Sequence, residues 1–251
     1  MSAYGAIAKS ESLEPLGSTL WPVTPRTADT KARQYLTIHH LTLARALNYS
    51  GLLDYLHKVF AEEIERGTTY PQETLQGELY TRQDFEAYFF AADVLLAIIG
   101  HDKTTVEDRD GVIETDVQLE NARYEREWEE CVAGFYYVKP NYPGRSSHIC
   151  NGGFVVPLAQ RGKKYASVLA RSYLHYAPKL GYEATVFNLV FVNNYASVRV
   201  WEKLDFIKAG RIPRAGRLKR ADGQGEEYVD AWVFYKSFKG ETATAGAVAS
   251  A

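Results

Sequence analysis

The six residues Arg161 to Ala166 have the types and spacing of a phosphate-binding turn. They read Arg-Gly-Lys-Lys-Tyr-Ala, follow an apolar strand pattern and open a helical pattern. The first N–H groups of a helix lack intrahelical partners, and the helix dipole is positive at that end, so a strand-to-helix turn binds anions. Arg161, Lys163 and Lys164 add positive charge. The sequence therefore predicts that this turn binds a ligand carrying phosphate groups.

Two asparagines lie inside apolar strand patterns, where a side-chain amide is unexpected. Asn151 lies in the segment Cys-Asn-Gly-Gly-Phe, and Asn188 in the segment Phe-Asn-Leu-Val-Phe. A buried amide must find hydrogen-bond partners or cost stability, so both positions predict a polar site in the sheet. For the first segment an alternative remains, since residues 151–153 could form a bulge or a hairpin turn. A third asparagine, Asn194, is predicted to cap the helix that follows it.

The elements that position these residues follow from hydrophobic periodicity. Apolar residues recur every three or four positions in 52–64, and Gly67 is placed to end that helix. Thr81 and Asp84 form a predicted capping box before a helix over 82–89. Further helices are predicted over 163–176 and 194–204, and a surface loop over 100–111. Predicted strands cover 34–47, 93–99, 131–139, 148–156, 185–192 and 230–235. Together they predict an α/β fold in which helices flank a largely antiparallel sheet.

The chain length suits a single domain with flexible ends. The 251 residues are 46% hydrophobic and 13% aromatic, enough for a sizeable core. Residues 1–30 are rich in Ser, Thr, Pro and Ala and are predicted to form a flexible arm. Residues 239–251 lack periodicity and are predicted to form a disordered tail. The domain is thus expected over 31–238.

Composition argues against several classes of partner. The 29 basic and 31 acidic side chains give a net charge of -2, so nucleic acid and anionic membranes are not expected as partners. The first 30 residues contain no apolar run typical of a signal peptide, and no stretch approaches the length of a membrane span. Cys131 and Cys150 are isolated, which favours buried thiols over a disulfide framework or a metal site. A cytoplasmic location is expected, and a homodimer remains open.

The order of these motifs resembles the GCN5-related N-acetyltransferase (GNAT) superfamily. Its pattern Arg/Gln-x-x-Gly-x-Gly/Ala matches at Arg161 and Ala166, with Lys164 in place of the first glycine. Asn194 and the following Trp201-Glu202-Lys203 match a second signature of the superfamily. At the position of Trp201, many members have a tyrosine that protonates the departing thiolate. An indole N–H is a very poor acid, so that role does not transfer. The resemblance implies a GNAT fold with a mixed, mostly antiparallel central sheet flanked by helices. It also implies an acetyl-CoA site formed by the residues Phe154, Val155, Val156, Arg161, Gly162, Lys163, Lys164, Tyr165, Ala166 and Asn194.

Several segments resemble a narrower family, the yeast L-azetidine-2-carboxylate N-acetyltransferases. They are GTTYPQ, GFYYVKPNYPGRSSHICNGGF, YAPKLGY, FNLVFVNN and IPRAG. This resemblance implies acetyl transfer to the ring nitrogen of a small cyclic imino acid, with a role in detoxification, proline metabolism and oxidative stress tolerance. It assigns acceptor binding to Asn151, Asn188 and Leu189, and a catalytic role to Asn151 and Asn188.

The expected reaction is direct attack of the amine on the thioester. Backbone N–H groups near Phe154 and Val156 are expected to stabilise the developing negative charge. No general base is identified, and a water chain or His148 remains conceivable. Glu62 and Glu63 could reach the acceptor end of the sheet if their helix borders the cleft, but they are expected to be solvated surface residues. Two alternatives remain: an acetyltransferase for another amine or a protein acceptor, and a non-catalytic module that binds acetyl-CoA. Acceptor specificity is expected to reside in residues 68–72, the loop in the 140s and Asn151.

Overall fold

The fold is built on one mixed sheet of nine strands. The computed structural model describes residues 15–23, 34–74, 78–100, 112–220 and 222–239. Within these ranges the strand order is β4-β1-β2-β3-β5-β6-β7-β9-β8. Neighbouring strands are antiparallel except β6 and β7, which are parallel. The strands are β1 Ser18–Pro22, β2 Tyr35–Leu41, β3 Asp93–Ile99, β4 Ile113–Thr115, β5 Val132–Pro140, β6 Ile149–Val155, β7 Ala184–Phe191, β8 Ile207–Lys219 and β9 Glu226–Ser237.

Helices cover both faces of this sheet. They are α1 Leu43–Ala46, α2 Leu52–Arg66, α3 Arg82–Phe89, α4 Leu119–Arg123, α5 Trp128–Cys131, α6 Tyr165–Lys179 and α7 Tyr195–Lys203. Successive strand residues face opposite sides, so β3 and β5 contribute to two clusters. One cluster packs α6 against residues such as Leu95 and Tyr136, and the other packs α2 and α3 against Leu96 and Phe135. We call these the α6 face and the α2–α3 face.

Most predicted elements are confirmed in type and position. The helix over 52–64 ends at Gly67, whose φ of 63° is left-handed. The capping box of Thr81 and Asp84 is present. The central strands lie within one or two residues of their predicted ends. Within the described ranges, no helix is both long and apolar enough to cross a membrane.

Several predictions need correction. Ser18–Pro22, expected within a flexible arm, is strand β1, whose Thr19 and Leu20 are buried between β2 and β4. The strand predicted over 34–47 ends at Leu41, because Thr42 caps the short helix α1. Residues 1–14, 24–33, 101–111 and 240–251 lie outside the described residues, and the predictions for them remain untested. Both cysteines are buried and free, as predicted.

The parallel strands β6 and β7 separate soon after they begin. In the described part of the chain two residue pairs join them, Ile149 with Ala184 and Cys150 with Thr185. Tyr173 of α6 bridges this junction, since its hydroxyl lies 3.1 Å from Cys150 Sγ and 2.6 Å from Thr185 Oγ1. Beyond it β6 continues to pair with β5, and β7 with β9. The separation opens the centre of the sheet.

Candidate active site

The opening between β6 and β7 is a cavity of about 650 Å³. Residues from both strands line it, together with the turn before α6, the start of α7 and the loop after α2. Of the predicted site residues, the cavity is lined by Asn151, Phe154, Val155, Val156, Arg161, Gly162, Lys164, Tyr165, Ala166, Asn188, Leu189 and Asn194. Lys163 does not line the cavity, and its ammonium group donates to Oε1 of Gln160, a lining residue, at 2.8 Å. A cofactor contact from Lys163 therefore remains only a prediction.

The turn before α6 has the backbone shape of an anion-binding site. Gly162 and Lys164 have φ values of 78° and 66°, both in the left-handed region. Such a conformation costs a non-glycine residue about 1–2 kcal/mol. Lys164 is the N-cap residue of α6, and its side chain makes no capping hydrogen bond. The first N–H groups of α6 are thus not satisfied by a side-chain cap where the cavity meets the helix, which suits a pyrophosphate.

Two carbonyl groups at the end of β6 are fixed by side chains from outside the sheet. The Tyr70 hydroxyl donates to the Phe154 carbonyl oxygen at 3.1 Å. Arg161 Nε donates to the Val156 carbonyl oxygen at 3.2 Å. These contacts hold the strand edge predicted to lie beside the reacting thioester. An extended ligand can therefore meet an ordered backbone.

The start of α7 forms the opposite wall of the cavity. Asn194 caps this helix as predicted, with Oδ1 accepting from the Ser197 N–H at 3.2 Å. Trp201 is 5% exposed and donates its indole N–H to Ser197 Oγ at 3.0 Å. Its ring packs on Phe187 and Phe154, with centroid distances of 4.4 and 5.0 Å. Trp201 thus shapes the wall and is not available to deliver a proton.

The two strand asparagines meet through a third asparagine that sequence analysis missed. Asn141 and Asn188 exchange two amide hydrogen bonds of 3.1 and 2.6 Å. Asn151 donates to Asn141 Oδ1 at 3.0 Å. We call these three residues the asparagine cluster. The alternative of a hairpin turn at residues 151–153 is wrong, because they pair regularly with β5. Asn188 and Leu189 lie at a bulge, where the pairing with β9 passes from Phe187 to Val190.

Beside this cluster, tyrosine rings form the wall on the α2–α3 face. The hydroxyls of Tyr88 and Tyr137 lie 3.1 Å apart, and Tyr70 packs nearby. The Tyr137 ring covers Gly153, where an added Cβ would lie 2.5 Å from Cε1. Burial raises the pKa of both Tyr88 and Tyr137, so these hydroxyls stay protonated near neutral pH. They can donate hydrogen bonds to an acceptor molecule.

A lysine ammonium group lies behind these rings. Lys139 Nζ is 3.9 Å from the Tyr88 ring centroid and 4.1 Å from the Tyr137 centroid, and it donates to the Tyr88 carbonyl oxygen at 2.9 Å. Lys139 is the cross-strand partner of Asn151. Burial lowers the pKa of Lys139 to about 8. Among the described residues, no carboxylate lies within 4.0 Å of Nζ, so this positive charge favours an anionic ligand in the cavity.

Glu63, expected on the solvated surface, is buried and lines the cavity. Its carboxylate forms ion pairs with Arg66 and Arg161, and it accepts from Thr69 Oγ1 at 2.9 Å. Glu62, the neighbouring residue, is exposed as expected. The correction follows from helix geometry, because Glu63 shares the inward face with Phe60 and Ile64. Both arginines and Thr69 thus engage this carboxylate.

Sequence analysis also missed the roles of Lys139, Tyr88 and Tyr137. Tyr88 looks like an ordinary helix residue. For the others one signal was present, because Tyr137, Lys139 and Asn141 lie in the segment GFYYVKPNYPGRSSHICNGGF and Tyr70 lies in GTTYPQ, both quoted for the narrower resemblance. Their contacts depend on β5, β6 and α3 meeting in three dimensions.

The cavity fits acetyl-CoA on these observations. The turn before α6 offers backbone N–H groups and cationic side chains to the pyrophosphate, and the separated strands offer an ordered edge to the extended arm.

Residues 71–206 match the family model described as Acetyltransferase (GNAT) family. The chain is 40% identical over 191 residues to N-acetyltransferase aca1 of Schizosaccharomyces pombe, covering 76% of this chain and 82% of that protein. It is 29% identical over 210 residues to Protein SPT10 of Saccharomyces cerevisiae, covering 75% of this chain and 31% of that protein.

Solved structures show the same fold at low sequence identity. A GCN5-related N-acetyltransferase from Kribbella flavida has a TM-score of 0.56 and 20% identity, covering 80% of this chain and 97% of that chain. The acetyltransferase yncA from Salmonella typhimurium, solved with its cofactor acetyl-CoA, has a TM-score of 0.55 and 14% identity, covering 84% and 99%. With these matches and the cavity described above, the chain belongs to the GNAT acetyltransferase family and is an acetyl-CoA-dependent N-acetyltransferase.

Proposed function

We propose that this enzyme transfers an acetyl group from acetyl-CoA to the ring nitrogen of a small cyclic imino acid, such as azetidine-2-carboxylate or a related proline analogue. The observation that carries the proposal is the asparagine cluster, which lies where β6 and β7 separate and next to the tyrosine wall. Three linked amides offer both donors and acceptors to a compact polar molecule. The segments that resemble the azetidine-2-carboxylate N-acetyltransferases support the same acceptor.

The charge around the pocket favours an acceptor that carries a carboxylate. The Lys139 ammonium group lies behind the Tyr88 and Tyr137 rings and has no nearby acidic partner among the described residues. One of the two hydroxyls donates to the other, and the remaining hydroxyl proton can be donated to a carboxylate placed over the pair. A polyamine would place further positive charge near this lysine, which is unfavourable. An amino acid or imino acid is therefore the acceptor class that best matches the pocket.

The chain's own residues bind and orient the reactants. Acetyl-CoA, when bound, supplies the acetyl group as a thioester. The asparagine cluster would orient the acceptor so that its nitrogen lone pair faces the acyl carbon, the proximity contribution to catalysis. As the C–N bond forms and the C–S bond breaks, backbone N–H groups near Phe154 and Val156 would stabilise the negative charge on oxygen. Each such donor contributes about 2.7–4 kcal/mol in comparable sites. The ring ammonium would first lose one proton to water, which frees the lone pair, because Glu63 is engaged by two arginines. The second N–H proton would leave after the C–N bond forms, and CoA would depart as the thiolate and take up a proton from water.

The proposal is tested by thiol release from acetyl-CoA. Azetidine-2-carboxylate is compared with proline, glycine and a lysine-containing peptide, for wild type, Asn151→Ala and Asn193→Ala. Asn193 is exposed and lies outside the cavity lining, so it is the matched control. We expect release with azetidine-2-carboxylate, a loss of at least about tenfold in kcat/KM in Asn151→Ala, and none in Asn193→Ala.

Other outcomes identify the alternatives. Release with the peptide alone would replace the proposed acceptor by a protein. Acetyl-CoA binding without thiol release for any of these four amines would contradict the proposed acceptor and favour an amine outside this set. We further propose, from the resemblance, that the activity serves detoxification, proline metabolism and oxidative stress tolerance in the cytoplasm. Deletion cells as sensitive to azetidine-2-carboxylate as their parent would contradict that role.

A further inference from the structure

The carboxylate of Glu63 connects two segments that are distant in sequence. Arg161 belongs to the turn before α6, which we call the phosphate loop, residues 161–166. Thr69 belongs to the loop after α2, which we call the acceptor-side loop, residues 68–72. Glu63 forms an ion pair with Arg161 and accepts a 2.9 Å hydrogen bond from Thr69 Oγ1. One side chain thus contacts both loops at once.

Because the Glu63 carboxylate is buried, it depends on these partners. Its side chain is 6% exposed, whereas those of Arg66 and Arg161 are 30% and 38% exposed. A buried carboxylate without its partners is strongly unfavourable, so the ion pairs fix its position. Arg161 is fixed twice, since its Nε also donates to the Val156 carbonyl oxygen. The guanidinium group is therefore held at the edge of β6.

The acceptor-side loop is tied to the same strand edge. Tyr70 follows Thr69 and donates to the Phe154 carbonyl oxygen, two residues from the carbonyl held by Arg161. A change in Arg161 can therefore reach Tyr70 by two routes, through Glu63 and Thr69 or along β6. The first route depends on one hydroxyl and one carboxylate, so it can be interrupted without altering the strand.

We propose that Glu63 is a positioning residue that couples the phosphate loop to the acceptor-side loop. An anion bound at the phosphate loop restrains Arg161, and through Glu63 and Thr69 it orders the loop that carries Tyr70. By linkage, an ordered acceptor-side loop strengthens cofactor binding by the same factor. This inference rests on the proposed function, because residues 68–72 belong to the acceptor side through Tyr70, which lines the cavity beside Tyr88 and Tyr137.

The test uses CoA, which carries the pyrophosphate but no acetyl group, so the result does not depend on which amine is acetylated. Hydrogen–deuterium exchange of the amides in residues 68–72 is measured with and without CoA, and the CoA Kd is measured by calorimetry. Thr69→Val removes the hydroxyl but keeps the shape, and Glu63→Gln removes the charge. Glu62→Gln is the matched control, because Glu62 is exposed on the same helix.

The variants should distinguish the contact of Glu63 with Thr69 from its contact with Arg161. In wild type and Glu62→Gln, we expect CoA to slow exchange in residues 68–72 by about tenfold. In Thr69→Val this protection should fall below about twofold, and by linkage the CoA Kd should rise by a matching factor of about five. In Glu63→Gln the protection should be lost and the CoA Kd should rise by more than about tenfold, because Arg161 also loses its partner.

Two results would overturn the inference. One is full CoA-induced protection in Thr69→Val, which would show that order passes along β6 alone. The other is wild-type CoA affinity in Glu63→Gln. Failure of azetidine-2-carboxylate as an acceptor would leave all these measurements in place, so the coupling and the acceptor identity are tested separately.

Discussion

Replacing Gly153 by alanine should damage the acceptor pocket selectively. A Cβ at this position would lie 2.5 Å from Cε1 and 2.8 Å from Cζ of Tyr137, whereas ordinary contact begins near 3.4 Å. The ring must therefore move by about 0.9 Å, the difference between 3.4 and 2.5 Å. The hydroxyls of Tyr137 and Tyr88 are already 3.1 Å apart, so this movement breaks their hydrogen bond.

The expected loss of stability in Gly153→Ala follows from overpacking of the core and from the lost hydrogen bond. Overpacking a core costs about 1–3 kcal/mol, and a lost hydrogen bond costs about 0.5–1.5 kcal/mol. We expect a melting temperature about 2–4 °C lower for each kcal/mol in a chain of this size. If the displaced ring weakens acceptor binding by about 1.4 kcal/mol, the acceptor KM rises about tenfold. The acetyl-CoA Kd should change by less than about twofold, because the phosphate loop is untouched.

Gly152→Ala is the matched control on the same strand. Its Cβ would point to the α6 face and lie 2.7 Å from Cε2 of Tyr173. It should lower the melting temperature to a similar extent but raise the acceptor KM less than Gly153→Ala does. Steady-state kinetics, calorimetry and thermal denaturation measure these quantities, with the amine identified by thiol release as acceptor. An unchanged acceptor KM in a folded Gly153→Ala variant would refute the reasoning.

Two further substitutions test opposite ends of the cavity. Asn194→Ala should raise the acetyl-CoA Kd about tenfold, measured by calorimetry, while the acceptor KM changes little. The reason is that Asn194 caps the helix that forms the wall predicted to bind the cofactor. An unchanged Kd would show that Asn194 does not belong to that site. For Lys139, whose pKa burial lowers to about 8, the favourable charge is present below pH 8 and is lost as the pH rises through 8. Binding of cyclobutanecarboxylate, which has the ring and the carboxylate but no amine, should therefore weaken above pH 8 in wild type and be independent of pH in Lys139→Met. A wild-type Kd that is equal at pH 7 and 9.5 would contradict the role of this charge.

The sequence predicted the elements whose determinants are local. The helix ending at Gly67, the capping box at Thr81 and the short apolar strands carry their signals in adjacent residues. Strand β1 carried no such signal, because Ser18–Pro22 is stabilised by pairing with β2 and β4, which come later in the chain. Strand β8, where the sequence predicted no strand, likewise depends on pairing with β9.

The candidate site divides in the same way. The turn at residues 161–166 and the cap at Asn194 were visible as local patterns. Asn151 and Asn188 were visible because an amide in an apolar strand is unusual. Their link through Asn141, and the ion pair of Glu63 with Arg161, arise only when distant segments meet.

Because β6 and β7 separate early, the stability of this protein against unfolding and proteolysis should depend on its cosubstrate. Tyr173 ties the two strands at their junction, so the opening forms as the chain folds, and within the described residues no backbone pair joins the strands beyond Cys150 and Thr185. A ligand that fills the opening binds the folded chain alone and stabilises it by about 2.7 kcal/mol at a concentration 100 times its Kd. Resistance to a protease should therefore increase with CoA concentration, and equal half-lives with and without CoA would contradict this. In a cell, the abundance of the enzyme would then follow the supply of acetyl-CoA, so that a nutrient-poor cell would hold less of it.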